Sequence, residues 1–226
     1  MKFLLRFFLF SLLVGATFAQ TPPSSSELDQ YDGLFAAVAK GDIVQVEKLV
    51  ADKVNLESRD SAGRTPLLVA THFSNDDVAR ILLEAGADAN ALDHQRYDLI
   101  TIAAVNNDEE MIQLGLKYGA DPAATTSPYD GTALIAACHL GHVEAVRALI
   151  KAGAPLDHVN SLHWTALIES IVLGDGGQRH TEVLKMLLDA GANTNLADRA
   201  GNTPLTLARD RGYSEMIHLL ELASAR

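Results

Sequence analysis

An all-α solenoid is the fold class predicted by this 226-residue sequence, and three observations carry the expectation. A Thr-x-Leu signature recurs along the chain, a Gly-Ala pair recurs in phase with it, and apolar runs of helical length lie between them. With the Leu of the signature as marker, Leu34, Leu67, Ile100, Leu134, Leu167 and Leu205 are 33, 33, 34, 33 and 38 residues apart, so six helix-turn-helix repeats joined by short hairpins fit the chain.

Residues 1–19, MKFLLRFFLFSLLVGATFA, come before the repeats. Lys2 and Arg6 precede an apolar run from Phe7 to Val14, and Thr17 and Ala19 are small enough for a signal peptidase pocket. The pattern is that of a secretory signal peptide, with cleavage expected after Ala19. The apolar run falls short of the roughly 20 residues that span a bilayer, so no membrane attachment is expected after cleavage. Residues 20–29 contain the Pro/Ser-rich TPPSSS stretch and are expected to form a flexible spacer ahead of a repeat domain over 30–226.

Each part of the repeat has a mechanical reason. Thr65, Thr132, Thr165 and Thr203 read as helix N-caps, with Pro66 and Pro204 at the first helical position, where a missing N–H costs nothing. In the third repeat Asp98 replaces threonine and can cap in the same way. Small residues at Ala70, Ala103, Ala137 and Ala208 let neighbouring helices stack closely, and runs such as Ile81-Leu82-Leu83 fill the space between repeats. Gly86, Gly119, Gly153 and Gly191 fall just past the second helix, where a left-handed C-cap favours glycine. The interval of 38 residues marks a five-residue insertion, Asp175 to Arg179, between the two helices of the fifth repeat. It is expected to shape a local contact or to form a longer, mobile loop.

Composition narrows the function classes. The full chain carries a formal charge of −11, and loss of residues 1–19 would leave 16 basic against 29 acidic residues, a net charge of −13. Such a surface repels phosphate, which disfavours nucleic acid and would steer a basic partner inward. Cys138 is the single cysteine, so no intramolecular disulfide can form and stability must come from packing. Together with the leader, this points to a bacterial periplasm.

The two in-phase signatures resemble those of the ankyrin-repeat family over about residues 30–224. The segment IVLGDGGQRHTEVLKMLLDAGANTNLADRAGNTPLTLARDRGY is similar to that of exported, periplasmic bacterial ankyrin-repeat proteins. The resemblance implies a protein-binding scaffold that works through hairpin tips and concave inner helices, and an association with catalase and peroxide resistance. Read for chemistry, those positions hold Arg64, His72, Phe73, Arg96, Tyr97, Tyr129, His139, Leu140, His163 and Trp164. They are the candidate partner-binding residues, with residue types enriched at interface hot spots. The partner is expected to be another protein and the chain a monomer.

No G-x-S-x-G, HExxH or C-x-x-C motif occurs, and Cys138 falls on a small-residue core position, so neither catalysis nor a cofactor is expected. Two alternatives stay open. A small-ligand or metal-binding periplasmic protein would employ the Gly-rich insertion and the histidines His72, His139, His142, His163 and His180. The other is an inhibitor of a secreted toxin or enzyme.

Overall fold

The computed structural model describes residues 20–224, so the expected leader lies outside the described residues. Thirteen α-helices and no strand are present among them. A short helix α1, Ser25–Leu28, precedes six helix pairs: α2 Gly33–Ala39 with α3 Ile43–Ala51, α4 Pro66–His72 with α5 Asp76–Glu84, and α6 Leu99–Asn106 with α7 Glu109–Lys117. The remaining pairs are α8 Ala133–Leu140 with α9 Val143–Lys151, α10 Ala166–Val172 with α11 Gln178–Asp189, and α12 Pro204–Arg211 with α13 Ser214–Ser224. Each helix packs on its pair-mate and on the equivalent helix of the next repeat, which produces one row of first helices and one of second helices. Such an array is stabilised by each repeat's interface with its neighbours.

The local signals act as expected. Thr65, Thr132, Thr165 and Thr203 each accept a hydrogen bond from the backbone N–H three residues on, and Asp98 does so from Thr101 at 2.8 Å. Ala70, Ala103, Ala137 and Ala208 are fully buried at the first-helix contacts, as are Leu82, Leu149 and Leu187 on the second helices. Burying a leucine side chain contributes roughly 2 kcal/mol, against about 1 kcal/mol for a helix cap, so the buried apolar residues of each repeat together outweigh its cap.

Carbonyls at the C-terminal ends of the first helices have no partner within their own helix. Here the next repeat supplies one. Asn106 Nδ2 donates to Thr71 O at 3.3 Å, His142 Nδ1 to Ala104 O at 3.0 Å, His180 Nε2 to His139 O at 3.0 Å and Arg211 Nη2 to Val172 O at 3.3 Å. Three different side-chain chemistries plus a second histidine meet one geometric demand, so the ties align the repeats without a shared sequence motif.

Two expectations need correction. Residues 20–29 are not a bare spacer: Ser24 and Glu27 form a capping box on α1, and Thr21 O and Glu27 Oε1 both accept from the Arg64 guanidinium, at 2.9 and 2.5 Å. The segment is therefore folded against the second repeat. The insertion at 175–179 is also not simply a longer loop. Gln178 and Arg179 begin α11, which at 12 residues is longer than the nine of α5, α7 and α9.

Candidate partner-binding edge

The hairpins that join consecutive repeats share one construction. In each, a side-chain oxygen accepts from the backbone N–H two and four residues on: Asp60 from Ala62 and Arg64, Asp93 from Gln95 and Tyr97, and Asn160 from Leu162 and Trp164. Asp198 holds Ala200 and Asn202 in the same way, and Ser127 Oγ holds Tyr129 and Gly131. This is the Asx or Ser/Thr turn, in which a short polar side chain takes the place of a backbone acceptor.

Neighbouring hairpins are then tied to each other. His94 N donates to Ala62 O at 3.0 Å, Ser127 N to Arg96 O at 3.0 Å and Ser161 N to Tyr129 O at 2.9 Å. Side chains reinforce these bonds. Arg59 Nη1 reaches Leu92 O, Arg96 Nη2 reaches Thr125 O at 3.3 Å, His158 Nε2 reaches Asp130 O at 2.6 Å and Arg199 Nη2 reaches Ser161 O at 3.2 Å. The result is a continuous edge rather than five independent loops.

The fourth residue of every such hairpin has a left-handed backbone: Gly63 at φ +77°, Arg96 at +66°, Asp130 at +52°, His163 at +64° and Gly201 at +84°. Glycine takes this conformation freely, whereas a residue with a Cβ loses about 1 kcal/mol. The two outer hairpins use glycine. The three inner ones carry side chains there despite the cost, and all three are exposed: Arg96 is cationic, His163 ionisable and Asp130 a carboxylate 3.5 Å from Arg96 Nη1.

The candidate residues divide accordingly. Arg96 and His163 are exposed on the hairpin edge, Tyr129 and Trp164 are half-buried in it, and Phe73 is 39% exposed at the end of α4. His139 and Leu140 are half-buried at the end of α8. Arg64 and Tyr97 are not available to a partner: they are 2% and 3% exposed. Arg64 instead ties Asp60, Glu27 and Thr21 together, with its Nε 2.7 Å from Asp60 Oδ2. Tyr97 follows the turn into the core, where desolvation raises its phenol pKa. His72 is largely withdrawn as well, since burial and then the nearby Arg64 charge lower its pKa to about 4.

His139 has an unexpected neighbour. Its Nδ1 lies 3.5 Å from Oε2 of Glu169, a carboxylate buried completely on α10, whose other oxygen accepts from Asn160 Nδ2 at 3.0 Å. The Nδ1–Oε2 approach is close enough for attraction but is not aligned as a hydrogen bond. The pair joins the fourth repeat to the fifth from the edge side. Sequence inspection missed Glu169, because at a position otherwise held by Val69, Ile102 and Leu207 an acid reads as a solvent-facing residue.

Two exposed apolar residues were missed as well. Leu92 and Val159, 38% and 44% exposed, each stand immediately before a hairpin-holding residue, Asp93 and Asn160. The recurrence of Asp60, Asp93, Ser127, Asn160 and Asp198 at the repeat spacing was the signal that could have located them.

The alternatives gain little from the geometry. A cavity beside Tyr97, Tyr129 and Ile135 encloses about 10 Å³, room for one water, and a cleft of about 550 Å³ between α7 and α9, lined by Glu109, Gln113, Arg147 and Lys151, contains neither the insertion nor any of the histidines that the ligand-binding alternative employs. In the insertion, Asp175 Oδ1 already occupies Gly177 N–H at 2.9 Å and lies 2.9 Å from His180 Nδ1. Among the described residues no group of three or more His, Cys, Asp or Glu side chains is arranged to hold a metal ion, and no helix is long and apolar enough to cross a membrane.

A stacked helical array with a continuous, chemically varied hairpin edge is the form of a repeat-built binding scaffold. The profile described as ankyrin repeats (3 copies) matches residues 7–93 and 100–198. The ankyrin repeat protein YahD of Escherichia coli (strain K12) is 34% identical over 190 residues, covering 84% of this chain and 94% of its own length. An ankyrin repeat domain from Acinetobacter baumannii AYE superposes with a TM-score of 0.81 at 44% identity, covering 84% of this chain and 97% of that one. The ankyrin repeat protein EF0377 gives 0.80 at 29% identity, with coverage of 84% and 98%. The chain belongs to the ankyrin-repeat family. Ankyrin repeats generally mediate protein–protein binding and typically serve as non-enzymatic scaffolds.

Proposed function

We propose that this protein is an exported, monomeric binding scaffold of the bacterial periplasm that grips a partner protein along the hairpin edge and the ends of the first helices. One observation carries the assignment: the inner hairpins keep Arg96 and His163 in a left-handed conformation that the outer hairpins give to Gly63 and Gly201. An exposed side chain held on the edge against a conformational cost supports a contact role at these two positions. Leu92, Val159 and the half-buried Trp164 supply apolar surface on the same edge, and Phe73 supplies it at the far end of α4.

Export rests on the sequence of residues 1–19, and its biological setting on the resemblance to periplasmic ankyrin proteins associated with catalase. Two experiments test the proposal. Fractionation of cells producing the protein should place a species beginning at Gln20 in the periplasm, and a cytoplasmic full-length chain would refute export. Affinity capture from that compartment should return a specific protein that Trp164→Ala releases and Val44→Ala, on a second helix, does not. A deletion strain with unaltered peroxide survival would remove the catalase-linked role while leaving binding intact.

A further inference from the structure

We infer that the hairpin edge recognises an acidic, partly apolar polypeptide segment, although the protein as a whole is strongly anionic. The inference rests on the binding role proposed above and adds the chemistry of the partner. Across the five tips, 59–64, 92–97, 126–131, 159–164 and 197–202, the exposed ionisable side chains are Arg59, His94, Arg96, His163 and Arg199, with Asp130 as the one carboxylate. Asp130 is itself 3.5 Å from Arg96 Nη1. The other tip carboxylates, Asp60, Asp93 and Asp198, are half-buried and hold their turns through backbone N–H groups.

Exposed acids lie elsewhere. Asp77, Glu84, Glu110 and Glu182 are on second helices, and Asp121 and Asp157 are in the loops that follow them. In physiological salt, charges more than about 8 Å apart are largely screened, so a bound segment responds to the tips it touches and not to the net charge. The three arginines are exposed, and each donates to a carbonyl of a neighbouring hairpin segment, a bond that holds the group in place. A guanidinium fixed in this way is pre-organised for a carboxylate.

A polypeptide fits better than a phosphate polymer because apolar surface is interleaved with the cations. The exposed Leu92, whose carbonyl accepts from Arg59, is two residues before His94, and in the next-but-one tip Val159 is four residues before His163 and the half-buried Trp164 directly follows it. Phosphate chains have no use for such contacts, whereas an extended acidic segment with occasional large apolar residues satisfies both.

Selection of a random 12-residue peptide library displayed on phage against the immobilised protein tests the inference. The expected result is a several-fold enrichment of Asp and Glu together with Leu, Ile or Phe. Synthetic peptides made from the winners should bind more weakly as salt is raised, and at least tenfold more weakly to the Arg96→Glu/Arg199→Glu double variant. If that variant is misfolded, Arg96→Gly/His163→Gly serves instead. It keeps the left-handed turns, so its melting temperature should stay level or rise while peptide affinity falls about tenfold; a falling melting temperature with unchanged affinity overturns the inference. Enriched peptides without an acidic bias, or acidic peptides indifferent to both variants, also overturn it and leave the binding role standing. Stronger, variant-sensitive binding of single-stranded DNA than of any peptide would replace the polypeptide with a phosphate polymer. Absence of any enriched peptide would sink the binding role and the inference together.

Discussion

His180 spans two repeats: its Nε2 donates to the carbonyl of His139 at 3.0 Å while its Nδ1 lies 2.9 Å from Asp175. The ring thus closes the end of α8 and pins the inserted turn in one position. Replacement by alanine leaves the His139 carbonyl without that partner. His180→Ala is expected to lower stability by about 1–2 kcal/mol. A urea unfolding curve checks the value, and an unchanged midpoint would show that the tie contributes nothing.

The N-terminal segment should detach in acid. Glu27 is held at a pKa of about 2, against an ordinary 4.5, first by the Ser24 backbone N–H, then by the Ser24 hydroxyl, with Ser61 and the Arg64 charge adding to them. A lowered folded-state value means that its contribution is complete above 4.5 and is lost as pH falls towards 2. Hydrogen exchange of residues 21–31 should accelerate over that interval before the later repeats respond. Arg64→Ala should produce the same local opening near neutral pH and cost about 1–3 kcal/mol, because it removes the charge partner of Asp60 and Glu27, although Asp60 keeps the Tyr31 hydroxyl and two backbone N–H groups.

Asp76 behaves in the opposite sense. Burial, followed by the charges of Asp108 and Glu110, raises its pKa from 3.8 to about 6. The folded protein therefore holds a proton that the unfolded chain has released, and stability declines as pH rises through that range. Asp76→Asn removes the penalty. Its melting temperature should exceed the parent's near neutral pH and match it at about pH 4; equal values at both would contradict the assignment.

Cys138 should be chemically silent. It is fully buried, and desolvation pushes its thiol well above the usual range, with Glu169 adding to the effect. A thiol reagent should label the folded protein no faster than it unfolds, and label it at once in denaturant. Rapid labelling under native conditions would mean that α8 and α10 separate at their contact.

Much of the fold was legible because each repeat advertises itself through residues with little choice. Thr65 and Thr203 must cap, Ala70 and Ala208 must be small, and Gly86 and Gly191 sit where φ is +95° in both cases. The edge was less legible. Arg64 and Tyr97 have interface-type side chains, yet the Asx turns at Asp60 and Asp93 deliver them inward, whereas the same turn at Asn160 leaves Trp164 half-buried, a difference the turn motif alone does not display. Arg96 and His163 were recognisable as candidates by type, whereas their significance lies in a backbone angle that no single sequence displays. Glu169 was hidden for a related reason: its burial depends on Asn160, nine residues earlier, and on His139 in the preceding repeat.

The central claim is that partners meet the hairpin edge and not the second-helix row. A photo-reactive amino acid placed in turn at positions 92, 96, 159 and 163, and at 44, 110 and 185 as controls, tests this directly in living cells. Irradiation should give covalent adducts of defined mass from the edge positions and none from the controls. Adducts confined to positions 44, 110 or 185 would contradict the account and move the interface to the second helices.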